Sequence, residues 1–551
     1  MSLTHKSLIA VFWSGADVFM RQGLQFFVSI LLARLLSPED FGVIAMLYVF
    51  IGVAGVFVDS GFSSALIQCQ DTTATDESTV FFFNLAMGAM VAIVLCVAAP
   101  WIAIFFGLPI LQGLSYVMAL NLFIGAFGSI HGTLLTKALN FKVTMKVGGV
   151  ATLFSGVLAI VLAWRGFGVW SLAWQQLMSS LITVVLLWCW HPWRPRLTFN
   201  VLSLRRLFRF GGFLMISGLL DTLYTRMYVV LIGKLFTTRD LGFYTRAEST
   251  QQLPLGILTN VLSRVAFPVF SAAATDPDKL ARGLRKALMI IMLLNIPTML
   301  GLAVVAEPLV VTLFGAKWLP SVPFLQVLCL AGVLWPLHVI NLNALMAQGR
   351  SDLFFRIEII KKCVGVFFLV LASQHSVMAI AWARVFAGVF AFFINAHYSG
   401  VLLSYGPWRQ LRDITPVGLV AMSMAVSVWF IGQLLHWTTT SELVSQLQHW
   451  SPLVELVSQL QHWSPLVELV SQLQHWSTLV ELVSQLQHWS PVVKLVDQLW
   501  YWPPAAQLAA LSVLGAMFYI TACRLLRLAA FDELFTIIGR RSLLRPAPMK
   551  V

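Results

Sequence analysis

Long apolar segments alternate with short gaps along this chain, and Lys and Arg gather in every second gap. Hydrophobic residues make up 59% of the 551 residues and charged residues only 11%, and a soluble domain of this length could not bury so much apolar surface. A helix needs about 20 apolar residues to cross the hydrocarbon core of a bilayer. The sequence therefore predicts an all-α integral membrane protein.

Fourteen stretches are apolar over the length that a membrane span requires. They begin near Leu8, Phe41, Thr79, Leu114, Val147, Val169, Phe213, Leu241, Ala287, Val322, Phe354, Val377, Val417 and Ala505. The first stretch lacks a small-residue cleavage site, which predicts a retained helix rather than a removed signal peptide. An even number of spans places both termini on one side of the membrane.

The basic residues follow this topology, so the formal net charge of +13 does not indicate a nucleic-acid partner. If the N-terminus is cytoplasmic, most Lys and Arg fall in the inner gaps and the tail, at 137–146, 194–209, 279–286, 409–412 and 540–550. The positive-inside rule then predicts that both termini are cytoplasmic.

Two halves of the chain resemble each other. A shift of 200 residues aligns segment 31–42 with segment 231–242, and a basic residue, an Asp and a Gly stay in register. We therefore predict an N-lobe at 1–200 with spans 1 to 6, a C-lobe at 201–404 with spans 7 to 12, and span 13 at 405–435. Because an even number of spans separates the copies, a pseudo-two-fold axis along the membrane normal relates them. Transporters built in this way bind substrate between their halves.

A second repeat, with a period of 13 residues, follows span 13. We predict an extracytoplasmic insert at 436–504, span 14 at 505–523 and a basic cytoplasmic tail at 524–551. Thirteen residues at about 100° each do not return to the same helix face, so the units cannot form one continuous apolar stripe. Copying one unit accounts for the regular histidines at 449, 462, 475 and 488, which favours a tolerated expansion over a metal site.

Charged and polar residues inside the predicted spans are the candidate site. A charge in a span costs at least about 2.5 kcal/mol, so it normally faces a partner or a wet cavity. Span 1 and its counterpart, span 7, both carry a polar stripe. The candidate substrate-binding residues are Arg21, Gln25, Arg226, Arg246, Gln252 and Arg384. The candidate ion-coupling residues are Asp17, Asp59, Asp221 and Glu248.

Two interpretations of these charges stay open. In the first, they line a cationic cavity that attracts an anionic headgroup, to which Arg can donate two hydrogen bonds at once. In the second, Asp17 with Arg21, and Glu358 with Lys361 or Lys362, are pairs that only stabilise helix packing. Arg356 and the two lysines could also reach the cytoplasmic interface.

We find no catalytic pattern in the sequence: there is no GxxxxGK[ST] phosphate loop, no HExxH, no GxSxG and no DxD pair of the sort that a metal-dependent sugar transferase would need. The six cysteines are scattered without metal-ligand spacing. We therefore predict a protein that is not an enzyme and has no cofactor or metal. Without an ATP site, the energy must come from an ion gradient or from the gradient of the substrate.

Six motifs resemble a known family. They lie at 32–42, 59–62, 241–254, 264–271, 313–318 and 347–352. In this order they resemble the Wzx-type polysaccharide repeat-unit flippases, and the colanic acid exporter subgroup above all. The resemblance covers about Ser7 to Leu435 and resumes at span 14. The 13-residue repeat is a departure from the family and puts the packing of span 14 in doubt.

This resemblance implies the multidrug/oligosaccharidyl-lipid/polysaccharide exporter fold, with two six-helix lobes in a V and two further helices. It implies a flippase that moves undecaprenyl-diphosphate-linked oligosaccharides to the periplasmic leaflet of a bacterial inner membrane, alongside other polysaccharide-assembly proteins. One alternative is a cation-coupled drug exporter of the same superfamily, whose pocket would favour carboxylates and aromatics over Arg. A membrane polysaccharide polymerase is a further alternative, which would need an outward loop with catalytic Arg or His.

Overall fold

The computed structural model describes residues 3–69, 71–273, 276–437, 504–526, 528, 530 and 531. The described chain is helical, and the predicted 13-residue repeat insert and most of the predicted basic tail lie outside the described residues. The helices are α1 (Leu3–Leu35), α2 (Pro38–Asp59), α3 (Phe62–Gln68), α4 (Ala74–Phe106), α5 (Ile110–Lys137), α6 (Phe141–Trp164), α7 (Val169–Trp190), α8 (Val201–Leu235), α9 (Thr238–Ala273), α10 (Pro277–Val304), α11 (Ala306–Phe314), α12 (Val322–Ala347), α13 (Ser351–Ser373), α14 (Val377–Leu403), α15 (Pro407–Trp437) and α16 (Pro504–Leu525).

Twelve helices of the described chain are long and apolar enough to cross a membrane. They lie where twelve of the predicted spans were placed. The other two predicted spans correspond to α9 and α13, which have 36 and 23 residues but carry too many charged and polar side chains to meet the same criterion. The predicted all-α membrane fold is therefore confirmed, whereas the count of fourteen spans remains a prediction.

The first turns of α2 and α9 show why the duplicated segment folds in the same way twice. Before α2, the Ser37 hydroxyl accepts a hydrogen bond from the Asp40 amide, and the Asp40 carboxylate accepts one from the Ser37 amide at 3.0 Å. Before α9, the Thr237 hydroxyl likewise accepts a hydrogen bond from the Asp240 amide at 3.1 Å, and it donates one to the Asp240 carboxylate at 2.6 Å. Such caps satisfy amide groups that have no partner within the helix.

The helices form two lobes and a C-terminal pair. Helices α1 and α4 to α7 pack mainly against one another, as do α9, α10 and α12 to α14, whereas α2 packs on α9 and α8 as well as on its own lobe. Helix α15 packs on α10, and α16 on α15 and α11. The Tyr519 hydroxyl of α16 donates to the Leu293 carbonyl of α10 at 2.8 Å, which ties the last described helix to the second lobe.

The two lobes approach most closely where α2 and α9 begin. A Cβ atom on Gly42 would lie closer than 2.5 Å to the carbonyl oxygen of Thr238, and one on Gly242 would lie equally close to that of Pro38. Only glycine permits such backbone contact. Under the 200-residue shift, position 42 corresponds to 242 and position 38 to 238, so the two contacts are equivalent. The contact therefore has the predicted pseudo-two-fold symmetry. We call this end of the molecule, which is predicted to be extracytoplasmic, the latch end.

The sides of the interface between the lobes differ from each other. On one side α8 packs along α2 and also contacts α3 and α4, so that it covers the N-lobe from Gly233 to Gly211. On the other side, the equivalent helices α1 and α9 have no such extended contact in the described chain, because α1 packs along α6 of its own lobe. The asymmetry leaves the α1–α9 side less closed than the α2–α8 side.

Candidate functional site

The latch end is held by hydrogen bonds to the carbonyl groups of helix ends. Arg34 donates through Nε to the Leu313 carbonyl at 2.9 Å, at the end of α11. In return, Lys317 donates to the Arg34 carbonyl at 2.8 Å and the Trp318 indole donates to that of Ala33 at 2.8 Å. Carbonyls at a helix C-terminus have no partner within the helix and attract cations. The end of α1 and the end of α11 thus hold each other.

Lys234 makes the symmetry-related contact. It occupies the position of Arg34 under the 200-residue shift, and its ammonium donates to the Phe105 carbonyl in the last turn of α4. The same ammonium lies 4.7 Å from the centre of the Phe105 ring. Each lobe therefore sends a basic side chain from its first helix to the C-terminal end of a helix in the other lobe.

Arg246 lies in an aromatic cage beneath the latch. Its guanidinium carbon is 4.3 Å from the ring centre of Phe41, 4.9 Å from that of Phe314 and 5.1 Å from that of Trp318. It donates to the Ser29 hydroxyl of α1 at 2.7 Å, and the residue is 5% exposed. In this conformation Arg246 is buried and contacts residues of both lobes. Cation–π contacts replace the counter-ion that a buried Arg would otherwise need.

Arg384, Glu248 and Gln252 form one cluster in the C-lobe. Arg384 of α14 forms an ion pair with Glu248 of α9, and Gln252 donates to the same carboxylate at 3.3 Å. The guanidinium also donates to the Tyr244 hydroxyl at 3.3 Å and lies 5.6 Å from the centre of the Tyr228 ring. The side chains of Arg384 and Glu248 are 27% and 18% exposed, so the protein covers the pair only in part.

The polar residues of α8 and α13 form further contacts nearby. Lys362 lies 3.3 Å from Asp221, whose side chain is 70% exposed, and Lys361 pairs with Glu358. The predicted pairing of Glu358 is thereby confirmed with Lys361. Lys362 instead pairs with Asp221, which links α13 to α8.

Three other candidates lie apart from this cluster. Arg226 of α8 faces α2, where a Cβ atom on Gly52 would lie 3.3 Å from its Nε. Asp59 accepts a hydrogen bond from Ser63 in α3, at the end of α2 away from the latch. Gln25 is exposed on α1.

Asp17 and Arg21 form the N-lobe part of the site. The Arg21 guanidinium lies 3.5 Å from the Asp17 carboxylate, as the spacing on α1 predicts. The Arg21 side chain is 50% exposed, whereas that of Asp17 is 7% exposed and one of its oxygens has no hydrogen-bond partner. Arg21 also borders a cavity of about 360 Å³ that is walled by α1, α5, α6 and α7.

The predicted residues therefore form clusters in both lobes rather than one site. Sequence reasoning missed Tyr228 and Tyr244, which read as ordinary aromatic residues of apolar helices. It noted Lys317 and Trp318 only as part of a family motif. Within the described chain, no group of three or more His, Cys, Asp or Glu side chains is placed to hold a metal ion.

The fold and the charge clusters define a multi-pass membrane protein of the transporter type, with two related lobes and basic residues inside both. The chain belongs to the polysaccharide biosynthesis protein family, whose sequence profile matches residues 31–323. It is 26% identical to the teichuronic acid biosynthesis protein TuaB of Bacillus subtilis (strain 168), over 68% of this chain and 78% of that protein. It is also 26% identical to the lipopolysaccharide biosynthesis protein WzxC of Escherichia coli (strain K12), over 68% of this chain and 76% of that protein.

Solved structures with the same fold include the lipid II flippase MurJ in an inward closed conformation. The superposition covers 76% of this chain and 93% of the MurJ chain, with a TM-score of 0.63 and 16% sequence identity. A second is a multidrug resistance MATE family transporter of the MOP superfamily in an inward-facing conformation. The superposition covers 71% of this chain and 98% of that transporter, with a TM-score of 0.56 and 16% sequence identity. The exporter fold that the sequence motifs implied is thereby confirmed.

Proposed function

We propose that this protein flips undecaprenyl-diphosphate-linked oligosaccharide repeat units across the cytoplasmic membrane of a bacterium, for export of a surface polysaccharide. The two relatives take part in making teichuronic acid and lipopolysaccharide, and a third, at 29% identity, is the succinoglycan biosynthesis transport protein ExoT of Rhizobium meliloti (strain 1021). The observation that carries the proposal is the presence of partly exposed Arg residues, Arg21 and Arg384, inside both lobes. A diphosphate is an anion to which such side chains can donate two hydrogen bonds at once.

The ion pairs suggest how binding is coupled to cations. Arg384 is held by Glu248, and Arg21 by Asp17. When a diphosphate oxygen takes the place of the carboxylate on the guanidinium, the displaced carboxylate is left unpaired in a protein of low dielectric constant. It then takes up a proton or a cation, since an uncompensated buried charge costs several kcal/mol. Substrate binding and ion uptake are thus linked at each pair.

The substrate enters on the α1–α9 side. Arg21 and Gln25 are exposed on α1 before its end at the latch, and α1 and α9 have no extended contact with each other in the described chain. A headgroup can pass between these helices while its undecaprenyl chain remains in the bilayer. Opening to the other side then requires the latch to break and the lobes to rock, in agreement with alternating access in repeat-built transporters.

The protein acts as a transporter and not as an enzyme in this proposal, with both termini in the cytoplasm. The polar pairs bind and release the headgroup, and no bond of the substrate is broken. The drug-exporter alternative is less well supported, because the relatives are named for polysaccharide synthesis.

The test is a strain that lacks its own copy of the gene and carries either the wild-type chain or a variant. We expect loss of surface polysaccharide and accumulation of lipid-linked repeat units on the cytoplasmic face without the gene, and restoration by the wild-type chain. Arg384→Ala and Arg21→Ala should each reduce export at least tenfold at equal protein level. Arg412→Ala, which removes an exposed charge near the start of α15, is the matched control and should export normally.

Purified wild-type protein in liposomes separates transport from synthesis. It should move a fluorescent undecaprenyl-diphosphate-linked sugar to the opposite leaflet, and a pH gradient should change the rate in the wild type but not in a variant that carries both Asp17→Asn and Glu248→Gln. Normal export by both Arg variants would contradict the proposed binding role. Failure of the wild-type protein to move the lipid would contradict the function itself.

A further inference from the structure

The cavity of the N-lobe has a wall of glycines and hydroxyl groups. It has a volume of about 360 Å³, at the small end of ligand-sized pockets, with room for one or two sugar rings but not for a whole repeat unit. Its residues include Gly125, Gly132 and Gly148, and no carboxylate is among the described residues that line it. The hydroxyl groups come from Ser129, Thr144, Thr152, Ser179, Ser180 and Thr183.

The glycines keep the cavity open. A Cβ atom on Gly125 or Gly132 would meet nothing within 4 Å, so close helix packing does not explain their lack of a side chain. They lie seven residues apart on α5 and therefore share one face of the helix. At Gly148 of α6 a Cβ atom would lie 3.1 Å from Cδ of Arg21, so this glycine gives the Arg21 side chain room at the cavity.

Four of the six hydroxyl groups of the wall have no partner in the described protein, whereas Ser129 donates to the Ala126 carbonyl at 3.2 Å and Thr144 to that of Asn140 at 3.5 Å. Elsewhere in the helices, side chains such as Ser115, Thr298 and Thr415 donate to the carbonyl four residues earlier. Among the described residues, the hydroxyls of Thr152 and Ser179 have no hydrogen-bond partner, nor do those of Ser180 and Thr183. Thr152 as a whole is only 5% exposed and lines the cavity, so the little of it that is accessible faces the cavity.

The corresponding place in the C-lobe is occupied by side chains. Under the 200-residue shift Arg21 corresponds to Asp221, which pairs with Lys362 of α13. Tyr224 projects from α8 against α13, where a Cβ atom on Gly365 would collide with its hydroxyl oxygen. At this place among the described residues of the C-lobe, side chains of α8 and α13 therefore fill the space between the helices.

We propose that this cavity binds the sugar attached to the diphosphate of the lipid-linked substrate, while Arg21 at its edge binds the diphosphate. The inference rests on the proposed function and names the part of the substrate that the N-lobe selects. Unpartnered hydroxyls can donate to and accept from sugar hydroxyls, and glycine faces let a ring approach the backbone closely. The Asp17 carboxylate, which pairs with Arg21, also lies at this edge, 3.9 Å from where a Cβ atom on Gly148 would be, so the charged groups are at the edge and the hydroxyl-lined wall suits a neutral sugar ring.

Binding of two lipids to the purified full-length protein in nanodiscs tests the inference. The first is undecaprenyl diphosphate, and the second is the same lipid carrying one hexose. In the wild type, the hexose should increase affinity at least tenfold. Gly132→Leu, which fills the cavity, should abolish this gain and leave the affinity for undecaprenyl diphosphate within twofold of the wild-type value. Arg21→Ala should weaken binding of both lipids.

Thr152 gives a subtler variant that does not depend on filling space. Thr152→Val keeps the shape and removes the hydroxyl, and should weaken only the glycosylated lipid, by about fivefold, as expected for the loss of one hydrogen bond. Thr152→Ser should restore binding. Gly418→Leu is the matched control. A Cβ atom at Gly418 also meets nothing within 4 Å, but Gly418 lies on α15, which does not line the cavity. All variants should have the thermal stability of the wild type.

The outcomes separate the two proposals. If Gly132→Leu and Thr152→Val bind the glycosylated lipid as the wild type does, or weaken both lipids equally, the cavity is not the sugar site. If the wild-type protein binds neither lipid more tightly than phosphatidylglycerol, the proposed function itself is wrong.

Discussion

Gly42 and Gly242 offer the sharpest test of how the lobes close, because each contacts backbone of the opposite lobe. An alanine Cβ at either position would lie closer than 2.5 Å to a carbonyl oxygen. Backbone cannot turn aside as a side chain can, so the starts of α2 and α9 would have to separate by more than about 1 Å to restore van der Waals distance. We therefore expect Gly42→Ala and Gly242→Ala to open the latch end.

The size of the effect follows from the cost of overpacking. Such substitutions cost about 1–3 kcal/mol, and each 1.4 kcal/mol changes an equilibrium tenfold. If the cost falls on the latched state alone, the ratio of latched to open molecules should fall roughly 5- to 150-fold in either variant. The double variant should add little, because both glycines act at one contact and opening it once relieves both.

Pulsed electron paramagnetic resonance measures this shift. Spin labels at Phe167, between α6 and α7, and at His375, between α13 and α14, occupy exposed loops of different lobes. The six native cysteines are replaced beforehand. Both glycine variants should shift the distance distribution to longer values, whereas Gly418→Ala should not, since its Cβ meets open space. Unchanged distances in a variant of normal thermal stability would refute the close backbone contact.

Three further predictions concern charge and the repeat insert. Arg34→Ala with Lys234→Ala should favour the open state in the same distance measurement, because each side chain caps a helix C-terminus, worth about 0.3–1 kcal/mol; Arg412→Ala should have no effect. Arg384→Met should lower the melting temperature by leaving Glu248 unpaired, and adding Glu248→Gln should restore it, which a double-mutant cycle by thermal unfolding checks. Deleting residues 455–467, one repeat unit, should leave export unchanged, and lost export at normal protein level would contradict a tolerated expansion.

The part of the site that the sequence predicted depended on spacing along one helix. Asp17 and Arg21 pair because residues four apart share a helix face, and Glu358 pairs with Lys361 for the same reason. The partners of Arg384 and Asp221 lie on other helices, so no spacing rule could identify them. Arg246 shows the limit most clearly, because its three aromatic neighbours come from α2, α11 and the turn after α11.

The amino-acid sequence by itself determined that this protein lies in a membrane, where its helices are and that its two halves are related. Apolar runs of span length require a bilayer, and Ser37 and Thr237 with their Asp partners begin equivalent helices through contacts within four residues. Only the tertiary structure decided which lobe leaves a hydroxyl-lined cavity, where the lobes touch and which charges are paired. Those outcomes depend on how helices distant in sequence pack side by side, and the energy of such packing is not encoded in any local pattern.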